Sequence, residues 1–288
     1  MDIPPRGTAN ARRPFRRRAV AVVALGSAAA AGAIAALAAA TPGEAGGAAR
    51  VQAHRAQAEG PAGVQAHRAR ATVRLTSGLR HSPLRTSCRS VAHIGDSTSV
   101  DLVSAADIPA PAQRLRARYA QMGVRQVRID ASGGRSIVEA LPGQVNGYDV
   151  ARAWRQAGYR GCWVFALGTN DAANVAAGSR VSLNARIGAM MAVAHGAPVM
   201  WVNTVSRLTG GYWSIANERA WDHALVSALR TYPNMRIFNW AAQARSGWFL
   251  PDGIHYNRVG CQMRAEAIAK ALARAFPMNG RGKGQIVS

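Results

Sequence analysis

Residues 90–98, SVAHIGDST, decide the fold of this chain. The stretch begins as a short apolar run and ends in a glycine followed by Asp96 and Ser97, where a buried strand would turn into a helix. Similar apolar runs recur downstream, and stretches with helical periodicity separate them. Alternation of this kind is typical of a parallel sheet with crossover helices. The sequence therefore predicts a three-layer, flavodoxin-like α/β domain with a five-stranded parallel sheet.

The predicted elements alternate from residue 90 to residue 276. Strands are predicted at 90–94, 125–129, 162–167, 199–205 and 235–238, and helices at 113–122, 150–157, 181–195, 215–229 and 260–276. In a doubly wound sheet, active groups gather on the loops at the carboxyl ends of the strands. Residues with chemical roles should therefore follow the strands directly.

Two polar clusters follow strands in this way, and a third lies directly before the last helix. GDST at 95–98 places Ser97 at the start of a helix, where its hydroxyl and its own backbone N–H could face a developing oxyanion. GTND at 168–171 follows the third strand, and Asn170 could donate its side-chain amide into the same space. DGIH at 252–255 sets a histidine three residues after an aspartate that could orient it. If each stood alone, helix capping would explain the first two clusters and chance the third.

In order and spacing, the clusters together resemble the SGNH/GDSL hydrolases over residues 89–276. The fourth position of the first motif is Thr98, where that family has leucine. The resemblance implies a catalytic triad of Ser97, Asp252 and His255 and an oxyanion hole formed by Ser97, Gly133 and Asn170. The family's glycine after the second strand has two candidates here, Gly133 and Gly134. We select Gly133 because it follows the small residue Ser132.

The implied activity is that of a serine hydrolase that cleaves carboxylic esters with short acyl groups, on small molecules or on envelope carbohydrate or lipid. His255 would take the proton from Ser97 as the serine oxygen attacks the ester carbonyl, and an acyl-enzyme would form. No cofactor or metal is expected, and the chain is expected to be a monomer. Two alternatives are open: an O-acyltransferase that moves acyl groups to a cell-envelope glycan, and a non-catalytic carbohydrate-binding relative.

The first 86 residues differ in composition from the rest. Arginines at positions 12, 13 and 16–18 precede a charge-free run over 19–40, an order typical of export signals. We expect 1–40 to be a signal peptide or an N-terminal membrane anchor, with Sec and twin-arginine export both open. The protein would then be secreted, or held outside the cytoplasm by 19–40. We expect 41–86 to be a disordered linker, 87–278 the catalytic domain and 279–288 a flexible tail.

The formal net charge of +22 could indicate a nucleic-acid partner. Only two of the 36 basic residues are lysines, Lys270 and Lys283, and the basic residues are spread over the whole chain without a recognisable reading motif. We therefore expect no specific nucleic-acid partner, and the charge favours proximity to anionic envelope polymers. Two copies of VQAHRA contain His54 and His67, but they bring no further ligands, so no metal site is expected there.

Aromatic residues and cysteines complete the predictions. Candidates for lining a cleft are Trp201, Trp213, Trp240, Trp248, Tyr212 and Phe249. Of these, Tyr212 and Trp248 are predicted to contact substrate because they fall on loops at the expected active edge. Cys88 and Cys162 fall at the amino ends of strands one and three, which are neighbours in a flavodoxin-like order. They are therefore predicted to form a disulfide, with Cys261 at the opposite edge.

Overall fold

The computed structural model describes residues 84–280, 282 and 284–288. The predicted signal peptide or anchor at 1–40, most of the predicted linker, and both His54 and His67 lie outside the described residues. Among the residues that are described, no helix combines the length and the apolar character needed to cross a membrane.

The centre of the domain is a parallel sheet of six strands in the order β2-β1-β3-β4-β5-β6. The strands are β1 (Ser90–Gly95), β2 (Gln126–Ala131), β3 (Cys162–Ala166), β4 (Val199–Val202), β5 (Met235–Phe238) and β6 (Ile286–Val287). The first five correspond to the predicted strands within a few residues. The order changes direction between β1 and β3, so the loops after these two strands flank the crevice where doubly wound domains place their active groups.

The prediction of five strands is wrong by one, because β6 adds to the edge of β5. The Ile237 amide donates to Gln285 O at 2.8 Å, and the Asn239 amide donates to Val287 O at 2.9 Å. Val287 is buried against the core. The structure thus differs from the predicted flexible tail at these positions. A two-residue strand has no periodicity that a sequence could show, and the exposed edge of β5 supplies the pairing groups.

Seven α-helices cover the two faces of this sheet within the described residues. They are α1 (Ser97–Val100), α2 (Leu115–Gln121), α3 (Gly147–Gln156), α4 (Thr169–Ala176), α5 (Leu183–Ala194), α6 (Ile215–Ala228) and α7 (Arg258–Ala275). Five of them match the predicted helices, with ends displaced by up to three residues. The two that were not predicted, α1 and α4, are short, and both begin directly after a strand.

The central strands are buried on both faces because successive side chains point to opposite layers. In β3, Val164 packs in the core formed with α2 and α7, whereas Trp163 and Phe165 pack in the core formed with α3, α5 and α6. This alternation explains why the strands are continuous apolar runs in the sequence. It also confirms the three-layer α/β architecture.

The folded domain begins before residue 87. Thr86 is fully buried, and its amide donates to Met122 O at 2.9 Å. Its hydroxyl donates to Phe276 O at 2.8 Å. A truncated protein that starts at residue 87 would lose both contacts, so the boundary for expression lies at or before residue 86.

Cys88 and Cys162 form a disulfide in the structure, with Cα atoms 5.8 Å apart, and Cys261 is a buried free thiol. The bond ties the residues at the amino ends of β1 and β3 across a sequence separation of 74. We predict that the double variant Cys88→Ser/Cys162→Ser loses about 2–4 kcal/mol of unfolding free energy, because the unfolded chain regains loop entropy. Chemical denaturation without reductant measures the loss.

Reductant provides the control for this prediction. It should lower the unfolding free energy of the wild type to that of the double variant and leave the double variant unchanged. A wild type that is insensitive to a strong reductant under denaturing conditions, or a peptide map with a bond to Cys261, would contradict the prediction.

Candidate active site

Ser97 lies at a sharp turn from the carboxyl end of β1 into α1. A Cβ atom at Gly95 would approach the Ser99 side chain to 2.4 Å, so the turn admits only glycine there. Asp96 caps the helix, because its Oδ1 accepts hydrogen bonds from the Thr98 amide at 2.9 Å and from the Thr98 hydroxyl at 2.7 Å. These contacts hold Ser97 at the edge of the sheet where the other polar loops meet.

Asp252 and His255 come from the turn before α7, and the structure brings them to Ser97. Asp252 Oδ1 accepts hydrogen bonds from the Ile254 and His255 amides, each at 2.9 Å. Asp252 Oδ2 lies 2.7 Å from His255 Nδ1, and His255 Nε2 lies 2.9 Å from Ser97 Oγ. The distances place a hydroxyl, an imidazole and a carboxylate in one hydrogen-bonded line.

The charge of Asp252 fixes how the imidazole can act. Partial burial raises the pKa of Asp252, but hydrogen bonds from the Ile254 amide and from His255 outweigh it, and the pKa lies below its ordinary value. The ionised carboxylate favours a proton on His255 Nδ1. In that tautomer, Nε2 is free to accept the proton of the Ser97 hydroxyl.

The predicted oxyanion donors lie on the loops after β1, β2 and β3, which are neighbours in the sheet. The Ser132 amide donates to Gly95 O at 3.3 Å, which ties the loop of Gly133 to the turn of Ser97. Gly133 is exposed at this edge. Asn170 lies in the first turn of α4 and donates from Nδ2 to Arg135 O at 3.0 Å. Whether these three residues bind an oxyanion stays a prediction.

A buried ion network that the sequence analysis missed supports the oxyanion loops. Arg186 is fully buried, donates to Asp171 Oδ1 at 2.9 Å and pairs through both terminal nitrogens with Glu139. Asp171 Oδ1 also accepts the Ile137 amide at 2.9 Å. The network therefore joins the loop after β2 to the helix that carries Asn170. Its members are far apart in the sequence, and only the arginine within an apolar helix could have signalled it.

The two acids of this network titrate differently. Partial burial opposes ionisation of Glu139, but hydrogen bonds from Arg186 and Ser179 lower its pKa to about 2. Burial raises the pKa of Asp171 to about 6, although the Ile137 amide and Arg186 favour its ionised form. Both carboxylates are therefore ionised at neutral pH and depend on one guanidinium.

Thr98, the departure from the family motif, has a partner in the last helix. Arg264 is buried in α7 and donates from Nη2 to Thr98 Oγ1 at 3.3 Å. Its guanidinium carbon lies 5.2 Å from the ring centroid of Trp240 and 5.3 Å from that of Tyr256, the residue after His255. Thr98 thus links the turn of Ser97 to the segment that carries the imidazole.

The predicted substrate contacts differ in their surroundings. Tyr212 is 54% exposed on the loop before α6. Trp248 stacks on the buried Trp240 with ring centroids 5.8 Å apart, so its indole is largely part of the core. Trp213 instead reaches the candidate site, because its Nε1 donates to Asn170 Oδ1 at 3.3 Å.

Within the described ranges, no group of three or more potential metal ligands is arranged to hold an ion.

Four buried or half-buried acids lie near one another beneath the loops: Asp96, Asp171, Glu218 and Asp222. Burial raises the pKa of Glu218 from its ordinary value of 4.5 to about 8. Between these values the folded state keeps a proton that the unfolded chain has released. The stability contributed by the neutral carboxyl is therefore fully present below about pH 4.5 and is lost as the pH rises through about 8.

We predict that Glu218→Gln flattens the loss of unfolding free energy between pH 5 and pH 8, because glutamine stays neutral. Denaturant titrations at both pH values measure the slope. The matched control is Glu266→Gln, since Lys270 and Arg118 hold the pKa of that half-buried carboxyl below 4.5. This control should leave the slope over the same interval unchanged. A slope in Glu218→Gln equal to that of the wild type would contradict the prediction.

Comparison with known proteins identifies the fold. No protein-family model and no curated protein matches the sequence. The carbohydrate acetylesterase Est24 from Sinorhizobium meliloti matches in structure with a TM-score of 0.51 and 18% identity, over 65% of this chain and 100% of that chain. The C-terminal catalytic domain of Streptococcus pneumoniae peptidoglycan O-acetyltransferase A gives a TM-score of 0.47 at 16% identity, over 66% of this chain and 97% of that chain.

An aryl esterase of M. smegmatis gives a TM-score of 0.49 at 16% identity, over 63% of this chain and 97% of that chain. At such identities a likeness shows the fold alone. The class defined in this way is a three-layer α/β domain built on a parallel sheet. More specifically, the described domain has the SGNH hydrolase fold, which confirms the fold predicted from the sequence.

Proposed function

We propose that the chain is a serine esterase that hydrolyses short-chain carboxylic esters, acetate foremost, through Ser97, His255 and Asp252. The observation that carries the proposal is the line of contacts in which His255 Nε2 lies 2.9 Å from Ser97 Oγ and Nδ1 lies 2.7 Å from Asp252 Oδ2. A serine needs such a base within hydrogen-bonding reach to become a nucleophile. The name of Est24, a carbohydrate acetylesterase, favours an acetylated sugar as the substrate.

The mechanism follows from the positions of these groups. Ser97 Oγ attacks the ester carbonyl carbon while its proton passes to His255 Nε2, and the carbonyl oxygen becomes an oxyanion. The amides of Ser97 and Gly133 and the side chain of Asn170 stabilise that oxyanion. His255 then protonates the departing alcohol, and an acyl-Ser97 ester remains. Water, deprotonated by His255, attacks this ester, which releases the carboxylic acid and restores the hydroxyl.

The triad is open to solvent, as hydrolysis of an acyl-enzyme requires. The His255 side chain is 34% exposed and the Asp252 side chain is 45% exposed. Water therefore reaches the base that must activate it in the second step.

We propose further that residues 1–40 direct the protein out of the cytoplasm, either as a cleaved signal or as an anchor. Outside the cytoplasm, esters of envelope carbohydrate would be its substrates.

The test is hydrolysis of p-nitrophenyl acetate, butyrate and laurate and of an acetylated glucosamine, together with labelling by a fluorophosphonate. We expect turnover that falls with acyl length, and a phosphonate adduct on the peptide that contains Ser97. An adduct with no hydrolysis, but with acetyl transfer to an added glycan, would show an acyltransferase in place of an esterase. The absence of both turnover and adduct would overturn the proposal.

A further inference from the structure

The loop between β4 and α6 reaches from one half of the site to the other. At its beginning, the Arg207 amide donates to Gly253 O at 2.7 Å, within the turn that carries Asp252 and His255. Near its end, the Trp213 indole donates to Asn170. The fully buried Ser206 donates to Trp213 O at 2.6 Å, and Asn217 Nδ2 donates to Tyr212 O at 2.9 Å. Trp213 is therefore held in place by its own loop.

The contacts of Asn170 fix the orientation of its side-chain amide. Arg135 O can only accept a hydrogen bond, so the atom that faces it must be the amide nitrogen. The Trp213 indole N–H can only donate, so the atom that faces it must be the amide oxygen. The two partners therefore exclude the flipped amide. One hydrogen of Nδ2 is used on Arg135 O, and the other is left for a substrate oxygen.

We propose that Trp213 is a positioning residue of the oxyanion hole, which holds the Asn170 amide with its nitrogen toward the reacting carbonyl. The inference rests on the proposed esterase function. Trp213 acts through Asn170 and does not itself touch the reacting atoms. Its hydrogen bond to Oδ1 also polarises the amide and strengthens the remaining N–H as a donor. Without the indole donor, the amide loses one of the two partners that exclude its flipped orientation, and only Arg135 O remains.

The variant that tests this proposal is Trp213→Phe, which keeps an aromatic ring and removes the N–H donor. In the full chain, we expect kcat for p-nitrophenyl acetate to fall about tenfold with KM nearly unchanged, because an interaction of the transition state is weakened. Asn170→Ala should lower kcat by about 10²- to 10³-fold. The matched control is Trp154→Phe, which makes the same exchange near the carboxyl end of α3, outside the candidate site, and should leave kcat unchanged.

A double variant decides whether Trp213 acts through Asn170. Adding Trp213→Phe to Asn170→Ala should lower kcat no further, since the partner is already absent. An equal loss in both backgrounds, an unchanged kcat in the single variant, or a rise in KM alone would overturn the proposal.

A second readout does not depend on activity. The ¹⁵N-coupled side-chain amide signals of Asn170, assigned by their absence in Asn170→Ala, should shift and broaden in Trp213→Phe and stay in place in Trp154→Phe. Signals unchanged in Trp213→Phe would also overturn the proposal. If the wild type shows no Ser97-dependent turnover, the proposed function fails, and the amide signals still report on the role of Trp213.

Discussion

Replacing Ser97 with alanine is expected to lower kcat for p-nitrophenyl acetate by roughly 10⁴- to 10⁶-fold. The Ser97 oxygen lies 2.9 Å from His255 Nε2 and is the atom that would form the acyl-enzyme. Without it, the oxyanion donors can assist only direct attack by water, which is a far slower reaction. Active-site titration with a fluorophosphonate should show no adduct in the variant, and its circular dichroism should match the wild type.

The same experiment includes His255→Ala and the double variant. Because the two residues act as a unit, the double variant should lose little more activity than either single variant. The control is His223→Ala, which removes an exposed imidazole from α6. This control should retain full activity. Turnover by Ser97→Ala equal to that of the wild type would exclude the assigned nucleophile, and multiplicative losses in the double variant would exclude a shared role.

The strands β1, β3 and β4 could be predicted because nearly all of their side chains are buried in two opposite layers and most are therefore apolar in sequence. Parallel pairing then brings their carboxyl ends to one edge, so the motifs around Ser97 and Asn170 had to meet near each other. The turn that carries Asp252 and His255 could be placed at the same edge because it precedes the last helix. These predictions needed only local patterns and one topological rule.

The parts that could not be predicted depend on contacts between distant residues. Helix α1 is one turn long, and β6 is two residues long, so neither leaves a periodic signal. The pairing of Arg186 with Glu139 spans 47 positions, and the bond from Trp213 to Asn170 spans 43. Single charged or aromatic residues do not show in sequence which partner they meet. Trp213 could be included among the aromatic candidates, but its contact with Asn170 appears only in the folded structure.

Replacing the buried Arg186 with methionine is expected to lower the unfolding free energy by about 3–5 kcal/mol. The change removes the partner of Asp171, which is fully buried, and of Glu139. An uncompensated carboxylate in the core costs much more than the loss of the ion pair alone. Since Asp171 follows Asn170 in α4, kcat should fall as well, because the oxyanion donor loses its support.

The pH dependence of this loss separates charge from packing. Burial already raises the pKa of Asp171 to about 6 with Arg186 present, and removal of the guanidinium should raise it further. Asp171 can then be protonated at pH 5, so Arg186→Met should be less destabilising at pH 5 than at pH 8. The control Arg152→Met removes an exposed partner of Asp149 and should cost less than about 1 kcal/mol at either pH. An equal loss for Arg186→Met at both pH values would mean that packing, and not the buried carboxylate, sets its cost.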